Sequence, residues 1–439
     1  MTQEAVGGDP STVRMRLARE WDDLVEQVRL RPGFEDFLRP PPLPKLLPAA
    51  EGGPVVVINA SRWGCHALLV RADGVVNLAL PGLTLTETQE RAYSYLQVLG
   101  RSQEAAREHD AAVREQRASG PAAGAETQRK VVQAARAFLR VQGEVDLLLT
   151  DLQRWMWDSI AEPVLDRLGY TSTPPGEPDL WPRIWWCPTG PLTLLPLHTA
   201  GHHLDATDGR TVLDRVVSSY TPTVRALLEA RTGRRSSAEN APDAGRMLLV
   251  EVPDARGQAP LNVEPERAAL TSGLTPERLT HLLGRQATRA AVLDVLPEHR
   301  WVHFSCHGDQ DLLEPSRGGL LLYDGMLTVA DITARDFDGE FAGLSACKTA
   351  VGGLELSDEA ITLAAALHYT GYRRVVATLW SVHDSDAADL FAHLYAQITD
   401  DGVLHPARSA AALHAAVHHL RDRFRDFPHR WSPFVHIGP

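Results

Sequence analysis

Cysteine is scarce here: four residues in 439, at positions 65, 187, 306 and 347. Four thiols spread so widely are not a disulfide framework, and no CxxC pair offers a zinc ligand set. Long apolar runs are missing too. No stretch reaches the roughly 20 apolar residues that a membrane span needs. The N-terminal "MTQEAVGGDPSTVRMRLARE" has no apolar core of a signal peptide. A reducing, cytoplasmic compartment is the default expectation, with no membrane partner. An excess of positive charge is also lacking. Lys and Arg total 44 against 56 Asp and Glu, a formal net charge of -12. That argues against direct nucleic-acid binding, which needs a basic face. There is no fixed-period repeat and no phosphate-cradling Gly loop, so no cofactor is expected.

What remains is an ordinary globular composition, 44% hydrophobic and 23% charged, enough for a large core. Residues 12–31 read as an amphipathic helix, with Met15, Leu17, Trp21, Leu24, Val25 and Val28 at helical spacing. A Pro-rich connector follows, then three short β runs, "VVVINAS", "CHALLVRA" and "VVNLAL". Two long helices are expected over about 85–118 and 126–169. The stretch 232–246 has almost no large apolar residue and reads as the main internal linker. Beyond it, short Val/Leu-rich strands alternate with helices. That pattern predicts an α/β fold with a mainly parallel sheet covered on both faces. Three segments are expected: 1–50, 51–232 and 245–439.

Two stretches could carry chemistry. In "WVHFSCHG", strand alternation puts Val302, Phe304 and Cys306 on one face and His303, Ser305 and His307 on the other. His307 then stands at a strand's carboxyl end beside Gly308, on the edge where open α/β sheets bind ligands. Zinc on His303, Cys306 and His307 is disfavoured, because Cys306 points away from the two histidines. In "FAGLSACKTAVGG" a strand ends at Cys347, ahead of a Gly-rich loop and a helix capped by Ser357. A lone histidine at a strand end is usually structural, and a lone cysteine is usually a small buried hydrophobe. Together at one sheet edge they make a nucleophile and base, since the thiolate is the reactive form.

The motifs "VHFSCHG" and "LSACKTAVGG…SDEAITLAAALHYTGYRRVVATLWSVHD" closely resemble the CHAT family of caspase-like domains, kin to caspases and separases. "GPLTLLPLHTA", "VVSSYTPTVRALLEA" and "GFEDFLRPP…GPVVVINASRWGCHALLV" fit as well, so the resemblance runs from about residue 33 to the end. It implies a caspase-like fold whose first half, with its long helices, is catalytically empty. It also implies a cysteine endopeptidase with His307 as base and Cys347 as nucleophile. The backbone N–H groups of Gly308 and Cys347 would form the oxyanion hole. Glu359 matches the family's acidic residue at the helix start, and Trp380, Ser381 and Asp384 match a strand-end motif beside the substrate groove. Asp309, Glu355, Asp358 and Asp384 are the candidates for an acidic pocket wall. The family often has glycine around Glu359, where this chain has Asp358 and Ala360, and its usual tetratricopeptide repeats are missing. The implied partners are a protein substrate and a regulatory chain in defence, signalling or cell death. The competing expectations are an interaction scaffold with a silent site and a thiol hydrolase acting on a non-peptide acyl group.

Overall fold

The computed structural model describes residues 10–35, 37–119, 124–205, 209–232, 245–309, 314–346 and 362–439. The chain divides into two compact units, Met1–Pro48 and Ala49–Pro439. The first holds helix α1 (Pro10–Arg29) and a single turn, α2 (Leu43–Leu46). Helix α1 falls where the apolar spacing put it. Its last arginine, Arg29, donates from Nε to the carbonyl of Phe37 at 2.8 Å.

The second unit opens with the expected three strands, β1 (Val55–Ser61), β2 (Gly64–Arg71) and β3 (Gly74–Ala79), which form an antiparallel meander. The long helices follow as α3 (Leu85–Ala118) and α4 (Ala125–Met156). Thr84 caps α3 by accepting from the N–H of Glu87 at 3.2 Å. Pairs such as Arg91–Asp151 and Lys130–Glu115 show that the two helices run antiparallel. One π-turn at Trp157–Ala161 carries α4 into α5 (Glu162–Leu168), which Gly169 ends with φ 84°. Strand β4 (Arg183–Pro188) comes next. After it the segment "PTGPLTLLPLHTAG", which reads from sequence as a turn and a return, forms 3-10 turns at Gly190–Leu194 and Leu197–Thr199. Strand β5 (Val217–Tyr220) and helix α6 (Val224–Thr232) complete this half.

The second half begins with β6 (Met247–Glu251), α7 (Glu264–Gly273), β7 (Leu279–Leu283), α8 (Arg289–Val295) and β8 (Trp301–Ser305). A small separate sheet follows, made of β9 (His307–Asp309), β10 (Gly319–Leu322) and β11 (Gly325–Thr328). Then come α9 (Val329–Thr333), β12 (Phe341–Ser345), α10 (Leu363–Tyr369), β13 (Arg374–Thr378) and α11 (Asp384–Ile398). The chain closes with the hairpin β14 (Thr399–Asp400) and β15 (Val403–Leu404), helix α12 (Ser409–Arg423) and strand β16 (Phe434–Ile437).

The main sheet has 11 strands in the order β3-β2-β1-β4-β5-β16-β13-β12-β8-β6-β7. Its pairs are parallel from β1 through β4 and β5 to β16, and again from β13 through β12, β8 and β6 to β7. The β13–β16 pair is antiparallel, so the two halves meet head to tail in one continuous sheet. The α/β class with a mainly parallel, helix-flanked sheet expected from the sequence is what the protein has. Strands β6 and β8 are buried along their whole length, as a parallel sheet covered on both faces requires. One core joins Trp186, Leu149 and Ile58 to Phe304, Leu344 and Val375 across both halves. The other lies on the opposite face under α11 and α12, around Trp431, Phe391 and Phe341. Among the described residues no helix is long and apolar enough to cross a membrane.

Candidate active site

Strands β6, β8, β12 and β13 run parallel, so their carboxyl ends share one edge of the sheet. The loops leaving them surround a cleft lined by Asn262, Glu266, His307, Ala346 and Asp384 among others. Register matters here. Ser305 of β8 pairs directly with Ser345 of β12. His307 is two residues beyond the first serine and Cys347 is two residues beyond the second in sequence.

Main-sheet strand β8 stops at Ser305 and the chain bends at Cys306. The unbroken strand expected through His307 is therefore two pieces. His307 opens β9 and pairs with Leu321, while Gly308 pairs with Leu320 inside that short strand. The bend turns a half-buried His307 toward the cleft, and its Nε2 lies 2.8 Å from the carbonyl of Ala259. A carbonyl can only accept, so Nε2 carries the proton. In the neutral ring the lone pair is then on Nδ1.

Beneath the cleft sits Glu266, the third residue of α7 and only 3% exposed. Ser345 donates to its Oε1 at 2.5 Å, and Ser305 donates to its Oε2 at 2.7 Å. His303 Nε2 reaches the same Oε2 at 3.0 Å, and Tyr395 of α11 donates to His303 Nδ1 at 2.8 Å. One carboxylate thus ties the ends of β8 and β12 together and links both to α11. Burying a carboxylate is costly unless it is hydrogen-bonded, and this one has three donors. Gly343 makes the arrangement possible, since a Cβ there would stand 2.8 Å from His303 Nδ1 and 2.9 Å from Tyr395 Oη. On the other side of β12, Thr378 donates to the carbonyl of Ala346 at 2.7 Å. The backbone one residue before Cys347 is therefore held from β13.

Asp384 begins α11 at the cleft, where its Oδ2 accepts from the N–H of Asn262 at 3.1 Å. Burial pushes its carboxyl above the usual range, and the Glu266 charge adds to this. The Asn262 N–H and His307 act the other way. Ser381 and Asp309 are exposed. Trp380 is 3% exposed and lies in the core, with its indole N–H on the carbonyl of His429 at 3.0 Å and its ring edge-on to Tyr95. So His307 and Asp384 come together at the cleft, and Trp380 does not join them. Cys347, Glu355, Ser357, Asp358 and Glu359 lie outside the described residues. Of the other cysteines, Cys187 is buried, and burial pushes its thiol up to about 12, away from the reactive thiolate form. Cys306 is 2% exposed.

Glu266 and Ala259 were not found from the sequence. Glu266 sits among acidic residues at a helix start, where a carboxylate reads as a dipole partner. The available signal was on β8, where polar His303 and Ser305 interrupt a buried apolar strand and so demand a buried partner.

No curated protein matches the sequence. Two crystal structures of the Saccharomyces cerevisiae separase–securin complex share the fold. One, at 2.6 Å, gives a TM-score of 0.56 and 11% identity over 90% of this chain and 31% of that chain. The other, at 3.0 Å, gives a TM-score of 0.55 and 8% identity over 90% and 30%. The chain therefore spans about a third of the length of the solved chains it resembles, and at such identities the likeness is one of fold. The CHAT domain family model matches residues 150–439, which contain both motifs and every residue of the cleft. By that match over most of its length, the chain belongs to the CHAT family, the caspase-like group whose resemblance its motifs carried.

Proposed function

We propose that this chain is a cysteine endopeptidase that cuts a protein substrate with Cys347 as nucleophile and His307 as base. The observation that carries the reading is the bond between His307 Nε2 and the Ala259 carbonyl. It fixes the tautomer and the ring direction that a base needs, with a backbone acceptor doing what a third side chain does in a triad.

In the proposed cycle, Nδ1 of His307 takes the Cys347 thiol proton and the thiolate attacks the scissile carbonyl carbon. The oxyanion that forms is met by the backbone N–H groups of Gly308 and Cys347. Nδ1–H then protonates the leaving amine and the C–N bond breaks, leaving an acyl-enzyme. Water, giving its proton to His307, releases the acid and restores the thiol. Among the described residues, Asp384 is the acidic candidate that lines the same cleft as His307, and in this reading it meets the side chain before the cut. Asp309, Glu355, Asp358, Glu359 and Ser381 complete the candidate set for the groove, and Trp380 drops out of it as a core residue. Separase in the two similar structures is complexed with securin. We extend that to a regulatory protein partner here, in a defence, signalling or cell-death setting.

The test is cleavage of a proteome-derived peptide library by the whole chain, beside Cys347→Ala and His307→Ala. Cuts lost in both variants support the endopeptidase and reveal the preferred residue. Cuts that persist in either variant overturn the assignment of that residue. Absence of cuts from every form, with and without extract, favours the scaffold reading.

A further inference from the structure

On the far side of α11 from its cleft end, a second cluster gathers groups that bind metals. Asp389 and His393 are four residues apart on α11, so they share a helix face. Helix α12 packs along α11 and brings His419 to that face. The two imidazole rings stack with centroids 3.9 Å apart and planes inclined by 19°. His419 Nε2 is 3.5 Å from Asp389 Oδ2. One ligand atom from each of the three residues lies within 4.8 Å of the other two, and all three side chains are half-buried.

We propose that Asp389, His393 and His419 form a binding site for a divalent transition metal, with zinc the best fit, that clamps α11 to α12. Two imidazoles and one carboxylate are zinc's ordinary nitrogen and oxygen ligands, and three protein ligands leave a position for water or an exchanging group. Metal–ligand bonds of about 2.0–2.1 Å place tetrahedral ligand atoms roughly 3.3 Å apart. The cluster must therefore close by about 1.5 Å, which side-chain rotation at a half-exposed position supplies. Calcium and magnesium are poor candidates, because they prefer all-oxygen shells.

A competitor is already in place. Arg423 donates from Nη1 to Asp389 Oδ2 at 2.9 Å, with a side chain 60% exposed. Without metal the guanidinium neutralises Asp389. When metal enters, it swings into solvent at small cost. Because α11 begins at Asp384 and places Ala387 in the cleft wall, an ion at this cluster stiffens the helix that borders the candidate active site. The binding itself does not depend on the protease reading.

The experiment is a titration of the whole chain with Co²⁺ and Zn²⁺, followed by visible spectroscopy, calorimetry and thermal melting. One equivalent of Co²⁺ is expected to bind with d–d bands and without a thiolate charge-transfer band, which separates this site from any cysteine site. Affinity should fall at least tenfold in His393→Ala, in His419→Ala and in Asp389→Asn, with metal-free melting temperatures unchanged. Arg423→Ala should bind several-fold more tightly, because the competing cation is gone. Zn²⁺ should raise the melting temperature of the wild type and of Arg423→Ala but not of His393→Ala. Unchanged affinity in the histidine variants, a thiolate band, or no binding at all would overturn the site.

Discussion

The Nε2 of His307 rests on the carbonyl of Ala259 at 2.8 Å, across 48 residues of sequence. That bond orients the imidazole without spending a second side chain. No substitution at Ala259 can remove a backbone carbonyl, so the contact is tested through the ring. His307→Gln is expected to keep stability within about 1 kcal/mol, since the site is half-buried, while abolishing cleavage by at least about a hundredfold, the usual worth of a general base. Urea unfolding and peptide turnover measured on the same sample would separate the two effects. Equal turnover in the variant would rule His307 out as the base.

Glu266 is expected to be a stability residue as well as a neighbour of the site. Glu266→Ala strands the hydroxyls of Ser305 and Ser345 and the ring of His303, all within a buried network. A cost of about 3 kcal/mol is expected, because each buried donor left without its acceptor costs about 1–3 kcal/mol. Denaturant titration gives the number. A loss below about 0.5 kcal/mol would mean the network carries no net stabilisation.

Gly343→Ala should act on the same network from the opposite side. The added Cβ would crowd His303 Nδ1 and Tyr395 Oη, neither of which can retreat, because both are buried and bonded. Overpacking of this kind costs about 1–3 kcal/mol. A variant as stable as the wild type would show that β12 shifts to make room.

Asp384 offers a stability–function trade. Its carboxyl titrates above the usual range, so the folded state holds the proton more tightly than the unfolded chain does. As pH rises through that window the folded state loses stability, and at neutral pH the ionised group is a net cost. Asp384→Asn keeps an oxygen for the Asn262 N–H. It is therefore expected to raise stability at pH 7 by up to about 1 kcal/mol, the scale of a single stabilising substitution, while altering peptide preference. A less stable Asp384→Asn protein would contradict this account of the site.

Acid sensitivity should come from buried histidines. Burial lowers His198 and His203 to about 3 and His368 to about 4, from an ordinary 6.5. Between those values the unfolded chain binds protons that the folded chain refuses. Stability is therefore whole above pH 6.5 and falls as pH drops, by about 1.4 kcal/mol per unit for each histidine well inside the window. Urea midpoints at pH 7, 6 and 5 should decline steeply, and His368→Gln should remove one proton from the slope. A flat profile over that range would sink the explanation.

Local features of this fold were legible because they depend on local pattern. The spacing of apolar residues gave α1, α3 and α4, and Val/Leu-rich runs gave β6, β8, β12 and β13. What stayed hidden depends on contacts distant in sequence. The bend at Cys306 exists because β9 pairs with β10 in a separate sheet, and nothing in "WVHFSCHG" announces a change of partner. The run "GGLLLYDG" reads as a core strand but enters that smaller sheet as part of a hairpin. The position of β16 between β5 and β13 is a matter of sheet order, which periodicity does not encode. At the cleft, His307 stood out by residue type at a strand end, whereas its acceptor is a main-chain atom and leaves no mark in the sequence.

Strand β16 has a consequence for how the protein is made. It fills the gap between β5 and β13, and its neighbour Gly438 receives the indole N–H of Trp185 at 2.8 Å. Of all the strands in the sheet it is the last to leave the ribosome. Until then β5 and β13 each present an open edge, and the two halves have no shared strand to register them. A polypeptide cut before residue 434 would therefore leave β5 and β13 as two open strand edges, with only the shared core to hold the halves together. The 11-stranded sheet is thus continuous only through the strand that comes last in its sequence order.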